Sequence, residues 1–482
     1  MIILPEDYKN RIRKQLEEEA EDFLESYNKS SIKSLRVNSR KNSNFQLPFV
    51  KNENNDEYLD TISTKAFVKW EKNGIYFADA EDETENEESV KLVEPGKSAL
   101  HAAGAYYIQE ASAMLPVTML DINDEDHMKI LDLCASPGGK STQIADYMNG
   151  KGLLVSNEIV PSRAKILSEN IERMGVTNAL VISEDPIKLA PRFEHFFDRI
   201  LVDAPCSGEG MFRKHPEGCT EWSLENVSMC AKRQAYILDC AAQMLEFSGR
   251  IVYSTCTFSE EEDENVINDF LDRHPEYQRV GDDSRIFPHK DRGEGHFAAI
   301  LEYKNKPEFR GFDKKIKKDK TRGQGKPDKR QIDLLLEFVK KYMNSCKVLN
   351  IESASIVKNL DKDIENRLLM FGDKIYLCPE YMPDIKGITV LRPGLWLGTI
   401  AKDRFEPSHA LALALSLDEM RHAVDYDRDS QEIKGYLKGM TINYEGQNGW
   451  YLICVNGLSI GWGKCSNNIL KNHYPKGLRI MG

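Results

Sequence analysis

Between residues 129 and 303 apolar positions come in short unbroken runs, separated by stretches whose apolar residues recur with helical spacing. "KILDLC", "GLLVSNE", "NALVIS", "DRILVDA" and "GRIVYST" read as strands covered on both faces, because none of them shows a polar face. Helical periodicity between them predicts helices at about 140–149, 162–174, 187–196 and 222–246. Crossovers of this length predict a doubly wound α/β sheet of parallel strands. A last pair, near "YQRVGD" and "HFAAILEY", is expected to close it.

The flanks follow other patterns. Residues 4–27 carry a helical repeat, and "SLRVNSRK", "TKAFVKW" and "GIYFADA" read as strands, which makes the start a small α+β unit. The acidic run "DAEDETENEES" is read as a solvated loop. Between 304 and 330 apolar periodicity vanishes, and twelve Lys or Arg face four Asp or Glu. That segment reads as a basic linker. Beyond it come a mixed α/β stretch to about 395 and a last, β-rich module. The expected units are therefore 1–98, 99–303, the linker 304–330, 331–395 and 396–482.

Composition narrows the class. A chain of 482 residues is too long for one core, which fits several units. No run of 18 apolar residues occurs and the start turns polar after "MIIL", so neither a membrane span nor a signal peptide is expected, and the reading is cytoplasmic. The ten cysteines include no C-x-x-C pair, which argues against disulfides, structural zinc and any metal. A formal charge of -12 counts against nucleic acid as a partner, but the linker concentrates about eight net positive charges locally.

Chemistry is expected outside the carboxyl ends of the strands, where open α/β sheets bind ligands. The first such loop, "CASPGGKST", resembles a Walker loop only at its end. Cys134 holds the place of the first glycine, and Pro137 removes an amide from the anion nest, so a triphosphatase is disfavoured. What remains is a glycine-containing cofactor turn. Glu158 follows about twenty residues later, the place of a carboxylate that accepts ribose hydroxyls; nicotinamide and S-adenosylmethionine cofactors satisfy this pair equally.

Two further loops carry thiols: "DAPCSGEG" sets Cys206 three residues after Asp203, and "YSTCTFSEEE" puts Cys256 at the next strand's end. Neighbouring strands are about 4.8 Å apart, so both thiols are expected at one pocket. Such a pair suits methylation at carbon 5 of cytosine, which is too electron-poor to attack a methyl donor unaided. A thiolate added at carbon 6 activates it, an acid such as Asp203 at N3 stabilises the developing charge, and a second thiol aids release.

"ILDLCASPGGKST", "NEIVPSRAKIL", "FDRILVDAPCSGEGMFRK" and "GRIVYSTCTFSEEEDENVI" resemble the successive motifs of the Nol1/Nop2/Sun family of RNA 5-methylcytosine methyltransferases. "LHAAGAYYIQEASAM" is a further match. "RFEPSHALALAL" and "GWGKCSNNILKNHYPKGLR" are similar to the bacterial small-subunit methyltransferase F branch, which extends the resemblance over nearly the whole chain. It implies a Rossmann-like class I methyltransferase fold dependent on S-adenosylmethionine, with a ferredoxin-like N-terminal α+β domain and a PUA-like C-terminal region. Carried onto this chain, it assigns the cofactor to Cys134, Ala135, Ser136, Pro137, Gly138, Gly139 and Lys140, its ribose to Glu158 and its adenine region to Asp185. Pro186 stands where many relatives have glycine, a departure that bears on Asp185. Asp203 is assigned to the edge shared by cofactor and base, Cys256 becomes the nucleophile, and Cys206 aids release, with Lys140 beside them among the catalytic groups.

The implied partner is small-subunit ribosomal RNA or the subunit itself, bound by a monomer. Candidate RNA contacts are Arg36, Arg40 and Lys41, the linker residues Lys314, Lys315, Lys317 and Lys318, and Lys471, His473, Lys476 and Arg479 near the end. Trp462 and Tyr474 are candidate stacking platforms. Two other classes compete: an RNA-binding assembly factor with a vestigial pocket, which two retained thiols and an intact cofactor loop disfavour, and a dehydrogenase, which leaves the thiol pair unexplained.

Overall fold

The computed structural model describes residues 2–41, 51–52, 55–58, 66–79, 90–92, 94–304 and 325–480. The expected first helix is two, α1 (Glu6–Leu16) and α2 (Ala20–Ser26), because Glu17 between them takes φ 47°, which breaks the helical ladder. A four-stranded sheet follows, built from β1 (Ser34–Val37), β2 (Gly74–Asp79), β3 (Val90–Leu92) and β4 (Tyr106–Ile108) in the order β3-β2-β1-β4. "TKAFVKW" adds no strand to it. Its described part enters a tight turn in which Val68 N–H donates to Gly74 O (2.9 Å), and Phe67 forms an isolated bridge to Ile75. β4 pairs with β1, so the first unit runs past the expected boundary at 98.

The main sheet contains nine strands among the described residues. Its central part alternates as expected through β5 (Lys129–Asp132), α3 (Gly139–Met148), β6 (Leu153–Asn157), α4 (Pro161–Arg173), β7 (Ala179–Ile182), β8 (Phe197–Asp203), α5 (Leu224–Met244) and β9 (Leu245–Thr255). The helix expected at 187–196 shrinks to Pro186–Leu189, since Pro191 cannot donate within a helix. After α6 (Glu264–Arg273), β10 (Tyr277–Arg279), β11 (Ser284–Ile286) and β12 (His296–Tyr303) complete that side, β12 lying antiparallel to β9 with Thr255 opposite Phe297. Spatial order is β10-β12-β9-β8-β5-β6-β7, with β11 on β12. Leu131, Val155, Leu180, Ile200, Val202 and Ile251 are fully buried, as strands sandwiched between helices require.

Beyond the linker, α7 (Lys329–Tyr342) opens on a capping box of Asp328 and Gln331. β13 (Leu368–Phe371), β14 (Lys374–Leu377), β16 (Leu395–Ala401) and β17 (Arg404–Pro407) form one sheet, so the expected boundary at 395/396 falls inside a strand. β15 (Val390–Arg392) leaves this unit to pair antiparallel with β7 at the edge of the main sheet, Val390 opposite Ile182. After α8 (His409–Ala414), a five-stranded sheet of β18 (Ala423–Tyr426), β19 (Ile442–Asn443), β20 (Gly449–Val455), β21 (Leu458–Ser466) and β22 (Ile469–Asn472) ends the chain in the order β18-β20-β21-β22-β19. Among the described residues no helix is long and apolar enough to cross a membrane.

Candidate active site

The loops after β5, β6, β8 and β9 leave neighbouring strand ends on one side of the sheet. Gly138 caps α3 at φ 113°, a backbone conformation that side chains disfavour, and this lets the turn bend straight into the helix. A cavity of about 180 Å³ opens there, lined among others by Tyr107, Asp132, Cys134, Pro137, Lys140 and Asp203. Ala135, Ser136 and Gly139 also line it. Asp132 is buried; Ser141 Oγ donates to its Oδ2 (2.6 Å), its Oδ1 has no partner, and burial pushes its pKa up to about 7.

In the cavity wall Lys140 Nζ donates to Asp203 Oδ2 (2.8 Å), and Ser254 Oγ donates to Oδ1 (2.9 Å). Burial alone would raise this carboxyl, but the ammonium of Lys140 holds it well below the usual carboxylate range. Asp203 is therefore an acceptor. An acid role for it at N3 of a base does not fit this environment.

The two thiols meet. Parallel pairing of β8 with β9 sets Asp203 opposite Ser254, and the loops beyond bring Cys206 Sγ to 3.3 Å from Cys256 Sγ. The hydrogen bond with Cys256 and then burial push the Cys206 thiol well above its usual range, so Cys206 stays protonated. Glu262, fully buried, braces the loop that carries Cys206: it accepts from Ser207 N–H (2.9 Å), Ser207 Oγ and Gln234 Nε2 (2.9 Å), while Gln234 also donates to Pro205 O (3.1 Å). Behind it Glu209 accepts from Trp222 Nε1 (2.8 Å) and Phe258 N–H (3.1 Å) and pairs with Arg11 of α1. Gln15 of the same helix donates to Phe258 O (2.9 Å). Glu262 and Glu209 lie in polar runs that give no sequence signal of burial.

Glu158 is buried at the end of β6 but does not line the cavity. Its Oε1 accepts from Val160 N–H (2.9 Å) and its Oε2 is 3.5 Å from Arg163, which leaves lone pairs for further donors. Asp185 likewise does not line the cavity; its Oδ1 accepts from Ile187 N–H (3.1 Å) and from Tyr236 OH (2.9 Å).

The RNA candidates divide. Arg36 is fully buried and donates to Gln109 Oε1 (3.0 Å) and Thr142 Oγ1 (2.8 Å), so it joins β1 to α3 and is not available to RNA. Arg40 donates to Met174 O (3.0 Å) and Lys41 to Ala103 O (2.7 Å), again within the protein. Trp462 and Tyr474 are core residues with 1% and 5% exposure, so neither is a stacking platform. Lys471, His473 and Lys476 are exposed and Arg479 is half-buried. Lys314, Lys315, Lys317 and Lys318 lie outside the described residues.

Four family models cover successive parts of the chain: the N-terminal domain of 16S rRNA methyltransferase RsmF (4–111), 16S rRNA methyltransferase RsmB/F (117–302), the RsmF rRNA methyltransferase first C-terminal domain (356–415) and the methyltransferase RsmF PUA domain (423–480). Ribosomal RNA small subunit methyltransferase F of Shewanella piezotolerans is 31% identical over 95% of this chain and 93% of its own. The chain belongs to the RsmF family of 16S ribosomal RNA methyltransferases. The Vibrio cholerae relative of the same name is 29% identical over 99% of this chain and 98% of its own. Among solved structures, PH0851 aligns with TM-score 0.52 and 25% identity over 62% of this chain and 66% of that one. NSun6 from Pyrococcus horikoshii with SFG aligns at 0.50 and 20% identity, over 62% of this chain and 98% of that one, a likeness of fold. The family limits at 111 and 117 fall after β4, and the limit at 415 falls after β16.

Proposed function

We propose that this methyltransferase acts on carbon 5 of a cytosine in 16S ribosomal RNA through a covalent adduct with Cys256, using S-adenosylmethionine. The observation that carries this reading is the contact of two thiols, 3.3 Å apart, on the loops that follow β8 and β9, next to the strand end where Asp203 pairs with Lys140. The residues present fit the cofactor. The N-terminus of α3 favours a carboxylate, the unpartnered Asp132 Oδ1 suits an ammonium, and Glu158 keeps acceptor capacity for ribose hydroxyls. When bound, S-adenosylmethionine supplies the electrophilic methyl group.

The chain's own groups divide the remaining work. Cys256 as thiolate adds to carbon 6, and the C5–C6 π pair makes carbon 5 the nucleophile toward the methyl group. Asp203, ionised, accepts from the exocyclic amine of the base, and the Lys140 ammonium is the donor that offsets the charge on the ring. After methyl transfer a solvent base takes the proton from carbon 5, its bonding pair re-forms C5=C6, and Cys256 leaves as thiolate. Cys206, protonated, hydrogen-bonds that departing sulfur. The target cytosine must be unpaired or flipped out to reach the cavity.

Full-length protein incubated with 16S RNA and S-adenosylmethionine tests this on a denaturing gel, with mass spectrometry of the product nucleoside. Cys206→Ala is expected to methylate and then stall as an RNA–protein adduct, whereas Cys256→Ala forms neither adduct nor product. The reverse pattern would exchange the two roles. No adduct from either variant, or methylation away from carbon 5, would refute the reading.

A further inference from the structure

We infer that His296 is a positioning residue for methyl transfer, one that keeps Asp203 ionised and oriented when Lys140 turns from it toward the target base. The inference rests on the cytosine chemistry proposed above.

His296 opens β12, which runs antiparallel to β9 with Ser254 opposite Ala298 and Thr255 opposite Phe297. Continuing that register by one residue sets His296 beside Cys256, and β8 with Asp203 lies on the other side of β9. Three adjacent strand ends thus carry the carboxylate, the nucleophile and an imidazole. The ring is 2% exposed, and neither of its nitrogens has a hydrogen-bond partner. Buried polar side chains are rarely left in this state, and those that are call for a physical explanation. Nε2 lies 3.6 Å from Asp203 Oδ1, too far for a hydrogen bond and close enough to make one after a small shift.

The charges around the ring set its protonation state. Lys140 reaches Asp203 from α3, Glu110 acts on the ring from the loop after β4, and Asp203 faces it from β8. Burial first, and then the Lys140 cation, hold His296 below its ordinary pKa, so it is a neutral imidazole with one N–H to give. While Lys140 and Ser254 occupy Asp203, the carboxylate is satisfied. Once Lys140 turns to the base, Oδ2 loses its counter-cation. Donation from His296 Nε2–H to Oδ1 then compensates from behind, without a second cation being needed beforehand. Arrangements of this kind, in which an outer group orients a group in contact with substrate, matter because active groups must hold their geometry closely.

Glutamine at 296 keeps an N–H donor, whereas phenylalanine fills the space and offers none. The experiment compares wild type, His296→Gln and His296→Phe as full chains, with 16S RNA as substrate, tritiated S-adenosylmethionine, thermal melts, and calorimetry of cofactor binding. His296→Gln is expected to keep kcat within about threefold, and His296→Phe to lose at least about tenfold in kcat, with cofactor affinity changed by less than twofold in both. The inference is overturned if His296→Phe matches wild type, or if His296→Gln is as impaired as His296→Phe. Should His296→Phe fail to fold, His296→Leu replaces it under the same criteria. Wild type methylating some other atom would sink the cytosine reading before any variant is compared.

Discussion

Removing the carboxylate of Glu262 tests whether the loop bearing Cys206 depends on a buried acid. In Glu262→Ala, Ser207 N–H and one N–H of Gln234 lose their acceptor, while Ser207 Oγ still has Thr257 Oγ1 at 2.9 Å and Gln234 still reaches Pro205 O at 3.1 Å. Two orphaned buried donors cost about 1 to 3 kcal/mol each. Relief of the burial that raises the Glu262 carboxyl offsets part of this, so a loss of about 2 to 4 kcal/mol is expected. Glu262→Gln should cost about 1 kcal/mol or less, because its carbonyl can accept from both N–H groups while its amide turns to Ser207 Oγ. Urea unfolding measures both variants. The Glu262 charge also raises the Cys206 thiol, so Glu262→Gln in a Cys256→Ala background should speed alkylation of Cys206 at pH 8, read by peptide mass spectrometry. Equal stability of the two variants, or an unchanged alkylation rate, would refute the bracing argument.

Arg36→Met should cost about 3 to 5 kcal/mol, since it removes a buried cation 3.8 Å from buried Asp146, whose remaining hydrogen bonds come from Ser39 Oγ, Arg40 N–H and Asn73 Nδ2; the folded fraction should keep the wild-type slope of log RNA affinity against log salt. Asp132, raised from 3.8 to about 7 by burial, binds its proton more tightly in the folded protein. Its contribution is therefore fully present below pH 3.8 and lost as pH rises to about 7, so Asp132→Asn should flatten the fall of stability across that window in pH-dependent melts. Replacing Lys314, Lys315, Lys317 and Lys318 with Ala should weaken RNA binding and reduce its salt slope by roughly 3, and a slope equal to wild type would leave the segment a mere connector.

Residues 129 to 303 were largely legible because strands buried on both faces write continuous apolar runs, and a parallel register carries Asp203 and the two cysteines to one edge. Charge, by contrast, does not announce burial. Arg36 sits in a strand whose four residues are all buried, and only its neighbours Leu35 and Val37 hint at that. Trp462 and Tyr474 look like stacking aromatics until the last sheet is seen to close over them. β15 was invisible for another reason: its three residues have no pattern of their own and become a strand only by docking on β7. His296 and Glu262 owe their importance to neighbours 28 or more residues away in sequence, which periodicity cannot report.

The grip of α1 on the loops that carry the two thiols also orders the protein's birth on the ribosome. Arg11 reaches Glu209, 198 residues downstream, and Gln15 reaches Phe258, 243 residues downstream. At about 5 to 20 residues per second, the first helix is out of the ribosome for about 10 to 50 s before its resting place has been made. Tyr8, Ile12 and Phe23, fully buried in the finished protein, stay uncovered for that interval. This segment is thus made before the loops it grips and placed late, and a chain cut short before residue 258 leaves those side chains as sticky surface for chaperones to mask.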